Sequence, residues 1–256
     1  MTFKIVGDHI ELESFPKKFK KLTATRFATV LGLNAWNTPF SAWAEITKVY
    51  EKPFEESIYT NAGKVIEPKV IEYLQNVYFM DIKDPTDVYG PDYFKKTWGD
   101  FFPDQEVLGG MWDSLGDTYV VEIKTTKRAE DWINGVPIYY KLQACLYAYL
   151  LGFDDVIVTV SFLKDEDYVH PENFKPSIKN TKIYEFKLSA EVPNFEERYV
   201  KPALKWWEDH VVKGVSPAYD GLKDNEILKA LRRSTTKVGN QEISDVLSRD
   251  LKVNKQ

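Results

Sequence analysis

The stretch Gly109-Gly110-Met111-Trp112-Asp113-Ser114-Leu115-Gly116-Asp117-Thr118-Tyr119-Val120-Val121-Glu122-Ile123-Lys124-Thr125-Thr126 reads as two short strands joined by a turn at Gly116-Asp117. Strand side chains alternate between faces, so Glu122 and Lys124 share one face while Val121 and Ile123 point into a core. Asp113 ends the first strand. Carboxylates therefore gather on an apolar hairpin, where without a cation they repel each other and lose solvation at a cost of several kcal/mol. A divalent metal held by Asp113 and Glu122 is the simplest relief, because hard cations prefer carboxylate and carbonyl oxygen.

The rest of the chain sets the frame for this hairpin. Its 256 residues, 43 % hydrophobic and 29 % charged, can bury a sizeable core. One main domain is expected over residues 1–215, with a helical extension over 216–256. The formal net charge of −5 excludes a coat of nonspecific positive potential but leaves local clefts open. The single Cys145 excludes a disulfide framework within the chain and a cysteine-ligated iron–sulfur cluster, and its apolar setting marks an inert core thiol. Met1 to Asp8 lacks the apolar run of a signal peptide, and no segment approaches the ~18 uninterrupted apolar residues of a membrane span. The expectation is a cytoplasmic protein with no membrane association.

Residues 3–13 alternate around Gly7-Asp8 as a small hairpin. The most basic segment follows, with Lys17, Lys18, Lys20 and Lys21 and no acid before Arg26. Such a run supplies sequence-independent phosphate contacts; a solubilising face is the plainer alternative. Helices are expected from about Thr23 to Gly32, after Pro39, over 54–77 and over 138–151. The third carries Gly63 and Glu67 on one strip and an awkward Pro68, which removes a backbone donor and is expected to kink it. The fourth carries Gln143 and Tyr147 one turn apart. Residues 83–104 read as a loop with a short strand. Strands are expected over 156–162 and 183–188, an irregular connection over 164–180, a long helix over 194–213 bent at Pro202, and helical patterns over 222–233 and 241–251. Strands mixed with helices make an α/β or α+β fold, a central mixed sheet flanked by helices.

Glu-x-Lys alone is a poor signal. Glu185-Phe186-Lys187 repeats it on an equally plausible strand, and Asp81-Ile82-Lys83 nearly does. Glu122-Ile123-Lys124 differs in its company: Asp113 nine residues earlier, Glu67 on a helix upstream, and the Gln143/Tyr147 helix downstream.

Together these features resemble the PD-(D/E)XK nuclease superfamily and, within it, the phage recombination exonucleases of the lambda-exonuclease and YqaJ type. The resemblance runs from about Thr23 to Gly152. Leu22-Thr23-Ala24-Thr25-Arg26-Phe27 and Leu31-Gly32-Leu33 match the entry helix and its turn, Gly63 to Glu67 matches Gly-x-x-x-Glu, Glu122 to Thr125 matches Glu-x-Lys-Thr, and Gln143 to Tyr147 matches Gln-x-x-x-Tyr. The usual Asp-Gly is Asp113-Ser114 here. Pro103-Asp104 is a rival for the aspartate, but it lies off the hairpin.

The resemblance implies a Mg²⁺-dependent 5′-to-3′ exonuclease on linear double-stranded DNA, with Mn²⁺ able to substitute, that leaves 3′ single strands for phage-type recombination. Asp113, Glu122 and the Ile123 carbonyl would bind the metal, with Glu67 direct or through water. Lys124 would orient the attacking water, and Gln143 and Tyr147 would support it. Thr25 and Arg26 would hold a terminal 5′-phosphate. A single-strand annealing protein and a homo-oligomeric ring are implied partners, and the cytoplasm of a bacterial host the implied location if the protein is phage-encoded. An endonuclease of the same fold and a catalytically silent DNA-binding module are the alternatives. Trp36 and Trp132 could stack on a base or pack in the core. Lys229, Arg232, Arg233 and Lys237 could form an oligomer contact, a partner site or a DNA arm.

Overall fold

The computed structural model describes residues 2–51 and 57–233. Along the chain lie β1 (Phe3–Val6), β2 (His9–Leu12), β3 (Leu22–Thr23), α1 (Ala24–Val30), α2 (Pro39–Ile46), α3 (Ile58–Val77), α4 (Pro85–Tyr89), α5 (Tyr93–Thr97), β4 (Leu108–Gly109), β5 (Ser114–Leu115), β6 (Tyr119–Thr126), α6 (Ile138–Leu151), β7 (Asp155–Phe162), α7 (Asp165–Val169), β8 (Thr181–Lys187), α8 (Leu188–Glu191) and α9 (Lys201–Trp206). The chain divides into two compact units. One comprises Met1–Lys20, Trp36–Lys52 and Asp209–Gln256, the other Lys21–Ala35 and Pro53–Glu208. The 215/216 boundary expected from the sequence falls inside the first unit. The helical pattern over 241–251 and Lys237 lie outside the described residues.

The larger unit holds a four-stranded mixed sheet in the order β5-β6-β7-β8, antiparallel, parallel, antiparallel. The parallel β6/β7 pair needs a crossover, and α6 supplies it. Val121 and Ile123 of β6 pack with Ile157 of β7 against Ala62, Ile66, Val70, Ile71 and Leu74 of α3. Each valine, leucine or isoleucine among them, when fully buried, contributes about 1.5–3 kcal/mol relative to exposure. The alternate β6 residues Glu122 and Lys124 turn toward α6. Strand β6 is thus covered on both faces, and a charged pair is carried into the interior.

The first strand of the central hairpin departs from the sequence expectation. It is two pieces of two residues each: β4 pairs in parallel with β3, and β5 pairs with β6 at Ser114↔Val121. Between them Gly110 takes φ +136°, a left-handed value open to glycine, and a Cβ there would sit 3.0 Å from the Tyr147 ring. Asp113 therefore lies between the two pieces, just before β5, rather than ending a continuous strand.

The expected loop over 83–104 carries α4 and α5. Asp84 accepts from the Asp87 amide at 2.9 Å while Asp87 accepts from the Asp84 amide at 3.1 Å, and Pro85 opens the helix, a reciprocal cap legible in Asp-Pro-x-Asp. The short-strand reading of that stretch survives only as an antiparallel bridge, Lys83↔Leu115. Helix α3 runs unbroken past Pro68. Its apolar stripe is held by the sheet over several turns, which outweighs the one backbone bond that proline removes. The irregular 164–180 connection contains α7. The expected 194–213 helix is α only over Lys201–Trp206, with π-type turns before and after. Pro202 sits at the start of the α portion, where its missing amide costs least.

In the smaller unit, β1 and β2 form the expected hairpin with Gly7 at φ +60°. Helix α2 starts at a capping box in which Thr38 and Ser41 bond reciprocally. The buried Asp224 carboxylate accepts from the Thr38 hydroxyl at 2.6 Å and from the Asp220 amide at 2.8 Å, joining that cap to the start of the helical segment 225–233.

Candidate active site

Glu122 is fully buried on β6 beneath α6. Its Oε1 accepts a 2.6 Å hydrogen bond from Gln143 Nε2 and a short one from Lys124 Nζ. Its Oε2 is buried and has no hydrogen-bond partner. Tyr147, one turn beyond Gln143, is buried beside the Gln143 side chain and the Met111 backbone. Asp113 reaches the same place from the position just before β5, and its Oδ2 accepts a 2.7 Å bond from the Ile123 amide. A carboxylate thus fills the place of a strand partner where β5 has not yet begun.

Charge at the site is unbalanced. Burial raises the carboxyl pKa of both Asp113 and Glu122, and Asp113 raises that of Glu122 further. Burial pushes Glu67 up to about 8, reinforced by Asp113 and opposed by Lys124. Burial works against the Lys124 ammonium, yet Glu122 and Asp113 outweigh it and hold its pKa above the ordinary lysine value. Lys124 is the single cation against three carboxylates in this set. These residues fit a divalent cation: hard oxygen donors with raised pKa and an orphaned, buried Oε2 are what a bound ion would satisfy. Among the described residues no three His, Cys, Asp or Glu side chains close on a point by themselves.

Other residues singled out from the sequence divide sharply. Glu185 and Lys187 are exposed on the edge strand β8, where Lys187 pairs with Asp155 at 2.6 Å. Asp104 is exposed in a turn. Trp132 is 2 % exposed and stacked on Tyr140, which takes it out of reach of a base, whereas Trp36 is exposed. Thr25 and Arg26 lie at the start of α1, linked through the Thr23 hydroxyl at 2.9 and 3.1 Å. Lys17, Lys18 and Lys20 are exposed, and Lys20 lies 3.5 Å from Glu51. Lys21 is spent on the fold: its ammonium donates to Asp100 at 2.6 Å and to the Phe102 carbonyl at 2.7 Å. Lys229, Arg232 and Arg233 lie in the helical segment 225–233.

Three further residues, absent from the sequence motifs, border the site. Asp100 also accepts from the Gly110 amide at 3.1 Å and so braces the segment leading to Asp113. Tyr93 lies close enough that Glu67 and Asp113, after burial, help raise its pKa. The Tyr140 ring lies over the Lys124 ammonium, 5.3 Å from the centroid. Only Tyr140 had a local signal, the spacing i, i+3, i+7 that it shares with Gln143 and Tyr147.

The chain carries a PD-(D/E)XK nuclease fold and belongs to the YqaJ-like viral recombinase family, whose domain model matches residues 16–154, all of the site included. An uncharacterised protein of Mycoplasma genitalium is 30 % identical over 78 % of this chain and 83 % of its own length. Its Mycoplasma pneumoniae homologue is 28 % identical over 89 % and 97 %. Among solved structures, the alkaline exonuclease of Laribacter hongkongensis superposes with TM-score 0.53 at 15 % identity, covering 88 % of this chain and 97 % of that one. A phage-related exonuclease from Haemophilus somnus gives 0.52 at 15 %, covering 76 % and 96 %. At such identity the likeness is one of fold.

Proposed function

We propose that this protein is a divalent-metal-dependent deoxyribonuclease that resects linear double-stranded DNA from its ends. The observation that carries the reading is the state of the Glu122 carboxylate. One oxygen is fixed by Lys124 and Gln143, and the other is buried, unpartnered and beside Asp113. A purely structural buried glutamate would be satisfied at both oxygens.

Asp113, Glu122 and the Ile123 carbonyl would hold the ion, with Glu67 through water. When bound, a divalent ion supplies Lewis acidity and a more acidic water at the scissile phosphate. The residues of this chain do the rest. Gln143 fixes the rotamer of Glu122, and Tyr147 fixes Gln143. Lys124 donates from its ammonium toward the phosphate and the incoming water, placing positive charge where negative charge develops. Lys17 and Lys18 give sequence-independent grip on the backbone, and Thr25 with Arg26 meets a terminal 5′-phosphate. Magnesium as the ion, 5′-to-3′ polarity, a 3′ single-stranded product passed to an annealing protein, a ring of copies and a cytoplasmic setting belong to the same proposal, supported by family membership. Among the described residues no helix is long and apolar enough to cross a membrane.

Purified protein with Mg²⁺ is incubated with linear duplex bearing 5′-phosphates, the same duplex dephosphorylated, and closed circles. Fast loss of the first, slower loss of the second and persistence of the circles is expected. Circles cut as fast as linear DNA would move the assignment to an endonuclease, and no cleavage of any under Mg²⁺ or Mn²⁺ to a DNA-binding module.

A further inference from the structure

The Lys124 ammonium has two neighbours of different kinds. Glu122 Oε1 accepts from it, and the face of Tyr140 lies 5.3 Å away, within the ~6 Å over which a ring quadrupole attracts a cation. The ring is anchored from below. Tyr140 stacks on Trp132 at 5.7 Å and 23°, and Tyr139 packs against it at 4.4 Å and 60°. Trp132 in turn meets Phe162 edge-on at 6.4 Å and Tyr184 at 5.7 Å, and the Tyr184 hydroxyl donates to the Trp132 carbonyl at 3.4 Å. A column of aromatic rings thus runs from β7 and β8 up to one ammonium. A lysine has four rotatable bonds and, without such a wall, several ways to leave its carboxylate.

We propose that Tyr140 is a positioning residue for Lys124: its ring face confines the ammonium to the Oε1 side of Glu122, which keeps Oε2 open and the ammonium aimed at the phosphate. The proposal rests on the nuclease reading for its consequence in catalysis. Its geometric content, a cation held against a ring, stands apart from it. Tyr140 does not touch the reacting atoms. What it supplies is a low-entropy approach for a charge that would otherwise sample several rotamers.

The test uses the full-length chain with Tyr140→Phe, Tyr140→Leu, and a fluorinated phenylalanine at the same position, which keeps the ring's shape while withdrawing electron density from its face. Cleavage of linear duplex is read as kcat and KM. Tyr140→Leu is expected to lower kcat about tenfold with KM for DNA within about twofold, the size of one cation–π contact in a desolvated site. Tyr140→Phe should recover most of that loss, and the fluorinated residue should fall between Phe and Leu. If Leu matches Phe, or if the fluorinated residue matches Phe, the ring merely packs and the proposal is overturned while the nuclease reading stands. Should the wild-type chain cleave no DNA, the nuclease reading fails and the proposal is judged by NMR. The side-chain methylene protons of Lys124 should be ring-current shifted in the wild type and Tyr140→Phe, and unshifted in Tyr140→Leu; no shift in the wild type overturns it.

Discussion

The Asp113 carboxylate accepts a hydrogen bond from the Ile123 amide at 2.7 Å, so one side chain both pins the edge of β6 and faces the Glu122 carboxylate. These two duties separate under substitution. Asp113→Asn keeps an oxygen for the amide and is expected to fold, yet to lose cleavage by about a hundredfold or more as the site's hold on a divalent ion weakens. Asp113→Ala loses the amide bond as well, and thermal melts should show it less stable than the asparagine variant by about 1–2 kcal/mol. Equal stability of the two would remove the strand-pinning role.

Glu67 gives a pH signature. Its pKa is lifted from 4.5 to about 8, first by burial and then by Asp113. Between those values the metal-free native state binds more protons than the unfolded chain, so its stability falls as pH rises through that window. In chelator, Glu67→Gln should flatten the fall in Tm between about pH 5 and 8. Titrating the ion should show the opposite trend, affinity climbing toward pH 8 as protons cease to compete. A melting profile in chelator that is the same for wild type and variant would exclude the lifted pKa.

Gln143 donates to Glu122 Oε1 at 2.6 Å in the interior. Gln143→Leu keeps the bulk and removes the donor, leaving a buried acceptor short of one partner. A loss of about 1–3 kcal/mol in denaturant unfolding is expected, together with a fall in kcat larger than any change in KM. Unchanged stability would mean that Glu122 is satisfied some other way.

The two Glu-x-Lys copies give a matched pair. Lys124→Met should abolish cleavage by orders of magnitude while DNA still binds. Lys187→Met, on the exposed edge strand, should leave cleavage unaltered and the melting temperature nearly unchanged, since its pair with Asp155 is solvent-screened. Cleavage lost with Lys187 and kept without Lys124 would move the site to β8.

The basic run divides the same way. Lys17→Ala and Lys18→Ala should each reduce the slope of log affinity against log salt by about 0.9 if each touches one phosphate. Lys21→Ala should instead lower stability by about 1–3 kcal/mol, because it strands Asp100. Filter binding across a salt series checks the first, and melting the second.

Much of this protein could be read from local pattern. The alternation of β6, the apolar stripe of α3 and the one-turn spacing of Gln143 and Tyr147 are properties of neighbouring residues, set by strand and helix periods, whereas the order Glu67, Asp113, Glu122-x-Lys124, Gln143-x-x-x-Tyr147 is legible through the family resemblance. What periodicity does not carry is which face another element covers. Glu122 and Glu185 head the same three-residue pattern. One is fully buried because α6 crosses over β6, and the other is exposed because β8 is an edge. The split of the first hairpin strand depends on the pairing of β4 with β3, 86 residues apart at Leu22↔Leu108. The commitment of Lys21 to Asp100, and of Trp132 to the ring column under Lys124, likewise joins residues distant in sequence. Burial and pairing are sums over long-range contacts, and only the tertiary structure turns a common Glu-x-Lys into an ammonium and a carboxylate held together away from water.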